Sequence, residues 1–255
     1  PQEPMQRILT RTRTATLLTL ACVAAALTVP ASASAIMAGI ESNGLLVNST
    51  ATPEIQAKEL DRAKEQGVKV VRANFGWSEI ATNCGNATAA QQADPDNGCY
   101  NWAILDSLVK LANERGIQIL LSTSGVPNWV QPKGCAGTVG RCYYMGTTQS
   151  EFDKTYKAYG AFLKAAGKRY KAGSSHGTVK YWTIWNEPNS DTFWKPNGNA
   201  ARYAQMVGYA AQQLKASYPG AKVAIGPTAP KGHANPKRGS IATSMKPGNY
   251  IKAFQ

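Results

Sequence analysis

Two stretches of the chain repeat one pattern of apolar and polar positions. "LDRAKEQGVKVVRANF" and "LVKLANERGIQILLSTS" each end an amphipathic helix on a glycine and pass into an apolar, β-rich run. Gly67 and Gly116 stand where a helix stops on a residue that tolerates φ > 0. The helix starts are marked as well. Thr52 is placed to cap a helix with Pro53 at its first position. Asn101 is placed to cap one that carries Trp102, Leu105, Leu108, Val109 and Ala112 on a single apolar stripe. The unit recurs over about 151–171, where Phe152, Tyr156, Tyr159, Phe162 and Leu163 fall at helical spacing ahead of "TVKYWTIW". A helix over about 200–217 then precedes "YPGAKVAIGP", and a first strand fits "AIMAGI". Strand entries near Val68, Ile117, Val179 and Val223 lie 44 to 62 residues apart.

Apolar strands alternating with helices imply an α/β fold with a parallel sheet. A doubly wound sheet and a (β/α)8 TIM barrel both satisfy that. No G-x-G-x-x-G or P-loop follows the first strand, which weakens the nucleotide-binding open sheet. The long, cysteine-bearing stretches at 77–99 and 126–149 follow strands, on the face where barrels build their sites. The expected fold is therefore a barrel. Five strands are used by Gly226 and 29 residues remain. Three more units would need roughly 100–150 residues. Residues 36–255 are accordingly expected to be an incomplete barrel of about the first five β/α units.

The N-terminal pattern sets residues 1–35 apart. Arg7, Arg11 and Arg13 precede the apolar run "ATLLTLACVAAALTV", and Ala33-Ser34-Ala35 supplies an A-x-A site. This is a secretory leader, with cleavage expected before Ile36 and no stable membrane insertion afterwards. Residues 1–4 precede Met5 and read as upstream translation. The expected location is extracellular. The formal charge is +13, and because 1–35 hold three arginines and one glutamate, the remainder carries +11. Such a balance fits an acidic partner, an anionic polymer or wall, or simply a basic exported surface. No run of five basic residues appears, so a nucleic-acid partner is not expected. Cys84, Cys99, Cys135 and Cys142 remain, an even number that implies two disulfides in an exported chain. Of three possible pairings, Cys84–Cys99 with Cys135–Cys142 is favoured, since each pair lies within one loop-like stretch. The spacing does not suit zinc. Asn48-Ser-Thr and Asn86-Ala-Thr are glycosylation sequons.

The fourth strand, "VKYWTIW", leads to Glu187, held between Asn186 and Pro188. Pro188 biases Glu187 away from the helical region. Crowding by Tyr181, Trp182 and Trp185 would desolvate the carboxyl and favour the protonated form that a general acid needs. The plainer reading is a strand-terminal glutamate that caps a turn or pairs with a lysine. No H-E-x-x-H, no G-x-S-x-G and no Cys/His nucleophile pair points to another enzyme class.

"WTIWNEPN" resembles the strand-4 signature of the clan of retaining glycoside hydrolases that share a (β/α)8 barrel, including the cellulase-like family 5 and the β-xylosidase-like family 39. "GVKVVRANFGWSEI", "YNWAILDSLVKLANERGIQILLSTSGVPNW" and "GPTAP" resemble their second strand, second helix with third strand, and end of the fifth strand. The resemblance implies hydrolysis of O-glycosidic bonds by double displacement, with Glu187 as acid/base. It implies that Asn186 binds the sugar 2-hydroxyl and that Arg72 keeps the nucleophilic carboxylate ionised. Trp77, Trp129 and Trp194 follow strands 2, 3 and 4, and their faces suit sugar C–H surfaces. His233, after strand 5, could also line the cleft. A carbohydrate is the implied partner of a monomer that uses no metal or other cofactor. The family nucleophile, a glutamate at the end of strand 7, has no counterpart, since no Asp or Glu occurs from Thr192 to Gln255. Glu41 and Glu79 lie after strands 1 and 2, and neither is promoted to that role. The chain as given is therefore expected to be inactive. The alternatives are a non-catalytic carbohydrate-binding barrel and an inactive, truncated gene product.

Overall fold

The computed structural model describes residues 37–135, 142–196, 199–232 and 244–254. The leader expected over 1–35, and His233, lie outside the described residues. Five strands, β1 (Gly39–Glu41), β2 (Val70–Gly76), β3 (Gln118–Ser124), β4 (Tyr181–Ile184) and β5 (Lys222–Ile225), form one sheet in the order β1-β2-β3-β4-β5. Every neighbouring pair is parallel. A doubly wound sheet reverses direction at a switch point. This one proceeds from strand to strand without reversal, which is the order of a (β/α) barrel.

The helices between strands are α1 (Asn43–Leu46), α2 (Pro53–Glu65), α3 (Trp77–Ile80), α4 (Ala89–Gln92), α5 (Ala103–Glu114), α6 (Gln149–Arg169) and α7 (Ala200–Ser217), and α8 (Pro247–Phe254) follows β5. Thr52 accepts a hydrogen bond from the Ile55 N–H, with Pro53 at the first position of α2. Asn101 is not the cap expected of it: Trp102 stands at the N-cap position of α5 with no side-chain cap bond, and Asn101, one residue earlier, accepts from the Ala103 N–H at 3.3 Å. Helix α6 begins two residues before its apolar stripe suggests, because Thr148 and Glu151 form a capping box there. Gly67 and Gly116 have φ of +77° and +71°. In each case the next residue reaches back to the third-last helical carbonyl, Val68 N–H to Ala63 and Ile117 N–H to Ala112. These are Schellman endings, and they turn the chain directly into β2 and β3. Val68, Ile117 and Val179 are the approach to each strand; the ladders begin one to two residues later.

Alternate strand residues face the helices. Val71, Ala73 and Phe75, then Ile119 and Leu121, then Trp182 and Ile184 are all buried. Against them pack α5, α6 and α7, with Trp102, Tyr159, Phe162 and Tyr203 supplying most of the aromatic surface. Between helices, Arg169 at the end of α6 grips Asp106 in the first turn of α5 with two bonds of 2.8 and 2.6 Å, and the Tyr170 hydroxyl donates to the same carboxylate at 2.7 Å. In such a fold the strands' N-terminal end serves stability, and their C-terminal end carries the chemistry. Two disulfides, Cys84–Cys99 and Cys135–Cys142, close the loops after β2 and β3 in the local pairing expected.

Candidate active site

Arg72 occupies the third position of β2, in register with Glu41 on β1 and Leu120 on β3. Its side chain runs along the inner face of the sheet, the face away from the helices. One guanidinium nitrogen donates to the Glu41 carboxylate. Another donates to Asn186 Oδ1 at 2.7 Å. Asn43 Nδ2 donates to the other Glu41 oxygen at 2.6 Å, and Asn43 Oδ1 accepts the Asn74 backbone N–H at 3.1 Å. The ends of β1, β2 and β4 are thereby tied into one polar cluster. Asn186 is buried; its oxygen accepts from Arg72, and its amide N–H groups have no partner among the described residues.

Glu187 follows at once. Trp185 and Glu187 have φ of 69° and 43°, the two non-glycine residues in the left-handed region among the described residues. Such a backbone costs of order 1–3 kcal/mol per residue and persists only where its surroundings dictate it. Those surroundings are visible. The Ser122 hydroxyl donates to the Trp185 carbonyl at 3.1 Å. The Glu187 N–H donates to the Pro227 carbonyl at 2.9 Å. Gly226 lies so close that a Cβ there would meet the Trp185 and Ile184 carbonyl oxygens at 2.7 and 2.8 Å. Pro188 does keep Glu187 out of the right-handed helix, and the fold uses that freedom to place it in the left-handed region.

The Glu187 side chain is half-buried, with no hydrogen bond or ion pair among the described residues. The aromatic enclosure expected around it is not what forms. Trp182 points to the helices and donates its indole N–H to the Val179 carbonyl at 2.8 Å. Trp185 donates to the Phe193 carbonyl and packs edge-on against Tyr143, Tyr159 and Trp194. Tyr181 lies under Lys180, 5.7 Å from its ring. The reason is the left-handed turn at Trp185, which sends that ring down into the core while the chain carries Glu187 upward.

The three loop tryptophans are likewise dispersed. Trp77 is fully buried against Tyr159 and Phe162. Trp194 is fully buried against Phe152, Trp185 and Tyr203. Both are packing residues beneath loops. Trp129 is half-buried, donates to the Ala81 carbonyl at 2.6 Å and lines a groove outside the helices. None of the three is brought to Asn186 or Glu187.

Three residues matter here that the sequence reading left aside. Glu41 is the last residue of β1 and the carboxylate that Arg72 holds; its place at a strand end was the available signal. Asn189, fully buried, donates to the Ala229 and Met245 carbonyls at 3.1 and 2.8 Å and accepts from the Ala229 N–H at 2.7 Å. It clamps the loop after β4 to the loop after β5. Tyr203 on α7 donates to the Ile184 carbonyl and accepts from the Gly226 N–H, both at 2.7 Å. Glu79 falls in α3, and beside it a pocket of about 720 Å³ is lined by Asn43, Asn48, Asn74, Phe75 and Asn101. That pocket adjoins the Glu41 cluster through Asn43 and does not include Glu187. Among the described residues no group of three or more His, Cys, Asp or Glu could hold a metal ion.

The arrangement can do two things chemically. A half-exposed carboxyl at the C-terminal end of β4, unpaired among the described residues, can exchange a proton with a bound molecule. An adjacent buried amide, fixed by Arg72, can donate to a hydroxyl.

Residues 42–228 match the model of a family described as "Family of unknown function (DUF5722)". No curated protein matches the chain. Among solved structures, a glucosidase from Croceicoccus marinus is similar at 17% identity and a TM-score of 0.51, over 78% of this chain and 43% of that one. A GH39 enzyme from Xanthomonas axonopodis pv. citri is similar at 19% identity and a TM-score of 0.51, over 78% of this chain and 36% of that one. The chain thus spans less than half the length of either. At these identities the likeness shows the fold, an α/β architecture shared with barrel glycoside hydrolases.

Proposed function

The chain belongs to the DUF5722 family, and from its site we propose that the fold serves hydrolysis of O-glycosidic bonds in an oligo- or polysaccharide, with Glu187 as acid/base. The single observation that carries this reading is Glu187 itself. It is held in a left-handed turn at the end of β4, half-exposed and without a side-chain partner among the described residues, next to an amide that Arg72 has oriented. Asn186 would donate to the sugar 2-hydroxyl, a contact that tightens in an oxocarbenium-like transition state. Arg72 would supply positive charge to a carboxylate on the inner face.

A retaining mechanism needs a second carboxyl about 5–5.5 Å from the first. Residues 192–255 contain no Asp or Glu, so in this reading the nucleophile comes from sequence outside these 255 residues. The two disulfides support an exported protein, since such bonds persist in oxidising surroundings. Carbohydrate is the proposed partner, and a monomer the proposed state.

One observation favours a second reading. The carboxylate paired with Arg72 is Glu41, so the guanidinium is already satisfied within this chain. A carbohydrate-binding barrel without turnover fits that pairing.

The test is Glu187→Ala in the complete gene product. On glycosides with poor leaving groups, turnover should fall by about 10²–10⁴, the range for general acid catalysis. On aryl glycosides with acidic leaving groups, which need no protonation, the loss should be much smaller. Equal loss on both, or near wild-type rates on both, would remove Glu187 from the role. No turnover by the unaltered protein, with retained glycan binding, would establish the binding barrel instead.

A further inference from the structure

On the outside of the helix layer, far from the inner face of the sheet, a groove of about 560 Å³ runs between α4, α6 and α7. One wall is α6. Lys154, Lys157 and Lys164 recur on it at helical spacing, with Ala158 and Ala161 between them as a floor of small side chains. At 1.5 Å per residue, the three charges span about 15 Å. The opposite walls are Ala89, Ala90 and Ala93 on one side and Tyr209 with Gln213 on the other, and Trp129 lines the groove as well.

None of these three lysines makes an ion pair or a side-chain hydrogen bond among the described residues. The acids nearest on the helix are engaged elsewhere. Glu151 receives the Thr147 and Thr148 N–H groups, and Asp153 accepts from Gln149 at 2.7 Å. A row of positive charge without acidic partners along a concave alanine floor sets up a positive potential that attracts an anionic chain. Among the described residues no arginine lines the groove, so it lacks the planar forks that clamp phosphates in pairs; lysines are point charges without that directionality.

We propose that this groove is a second glycan site, distinct from the Glu187 site, which holds a carboxylate-bearing polysaccharide of the polyuronate class. Each lysine meets a uronate carboxylate, while the alanine floor and the Trp129 and Tyr209 rings take the apolar faces of the sugars. The choice of a polysaccharide among anionic polymers rests on the glycan reading above; the positive groove does not. Its role is to hold the protein on an acidic matrix, with no bond made or broken.

Affinity electrophoresis of the full chain through gels containing polygalacturonate, a neutral glucan or neither tests this without any turnover. Polygalacturonate should retard the protein and the neutral glucan should not. Lys154→Gln/Lys157→Gln/Lys164→Gln should weaken retardation at least ten-fold. Lys58→Gln/Lys64→Gln/Lys69→Gln, which removes the same charge from exposed positions on α2 and its exit, should weaken it less than two-fold. Equal weakening by both triple variants, or no weakening by the first, overturns the groove. Tighter binding to a single-stranded oligonucleotide than to polygalacturonate overturns the glycan and leaves a nucleic-acid surface. Because activity is not read, inactivity of Glu187 variants leaves this result untouched, and failure here leaves the Glu187 test intact.

Discussion

The face of the sheet that meets the helices is closed and apolar; the inner face is polar and partly open. Both come from the same strands. In β2, Val71, Ala73 and Phe75 turn outward and are buried, while Arg72 and Asn74 turn inward and stay half-exposed. In β3, Ile119, Leu121 and Thr123 turn outward, Thr123 bonded to the Tyr159 hydroxyl, while Leu120, Ser122 and Ser124 turn inward. In β4, Trp182 and Ile184 oppose Tyr181 and Thr183. A parallel sheet covered on both faces reads as a near-continuous apolar run. Here polar residues hold most of the inward positions, Val70 and Leu120 excepted, and they gather toward the strands' C-terminal ends. The alternation teaches where the fold can host chemistry: one face is used for cohesion, and the other presents hydrogen-bonding groups that cohesion does not require.

The largest test of this division is alkaline titration, because the buried phenols lie on the helix side. Burial pushes the Tyr159 and Tyr203 hydroxyls well above their ordinary value of 10.0. Burial does the same for Tyr170, reinforced by the Asp106 charge. Above pH 10 the unfolded chain loses these protons and the folded chain keeps them, so unfolding becomes more favourable as pH rises. Stability should be full below pH 10 and fall steeply above it, with urea midpoints as the readout. Midpoints that stay level to pH 12 would mean that these phenols are accessible and that the closed face is not closed.

Leu121→Ala comes next. Leu121 is fully buried on the helix side, and its truncation should cost about 2–5 kcal/mol in urea unfolding. A cost below about 1 kcal/mol would contradict a close-packed interface there.

Tyr203→Phe bridges the two regions. It leaves the Ile184 carbonyl and the Gly226 N–H without their shared hydroxyl. The expected loss is about 1–3 kcal/mol. Amide exchange at Gly226 should accelerate along with it, and unchanged exchange would show that the hydroxyl does not hold the end of β5.

The smallest effect belongs to the inner face. Thr183 is buried there, with no hydroxyl partner among the described residues. Thr183→Val keeps the shape and removes the unpaired group, so stability should stay within about 0.5 kcal/mol or rise. A loss above about 1 kcal/mol would reveal a partner for that hydroxyl and a less open face.

Much of the frame could be read from the chain because the signals are local. Gly67 and Gly116 end helices for reasons confined to one turn, and Thr52 with Pro53 starts one for reasons confined to three residues. Both disulfides close short loops, so proximity in sequence was enough. The site was less legible because its contacts are long-range. Arg72 meets Asn186 across 114 residues, and Asn189 meets Met245 across 56. The tryptophans show a different limit. Position after a strand told that Trp77 and Trp194 lie near the strands' C-terminal ends, but not whether the ring points up or down. That is settled by backbone turns, such as the one at Trp185, which carry no single-residue signature.

Asn189 has a consequence for how the molecule ages. Asparagine followed by serine is prone to deamidate, by attack of the serine backbone nitrogen on the side-chain carbonyl. Here the Ser190 N–H is engaged by the Glu187 carbonyl at 2.9 Å, and the Asn189 amide is fixed by three bonds. The reaction is held off while the loop stays folded. Should the loop open long enough for it to occur, the resulting aspartate would set a negative charge against the carbonyl oxygens of Ala229 and Met245, and the loop could not reclose as before. Stored protein would then lose the geometry around Glu187 while its helices and disulfides stayed intact, and a gain of 1 Da in the peptide carrying residue 189 would mark the damaged molecules.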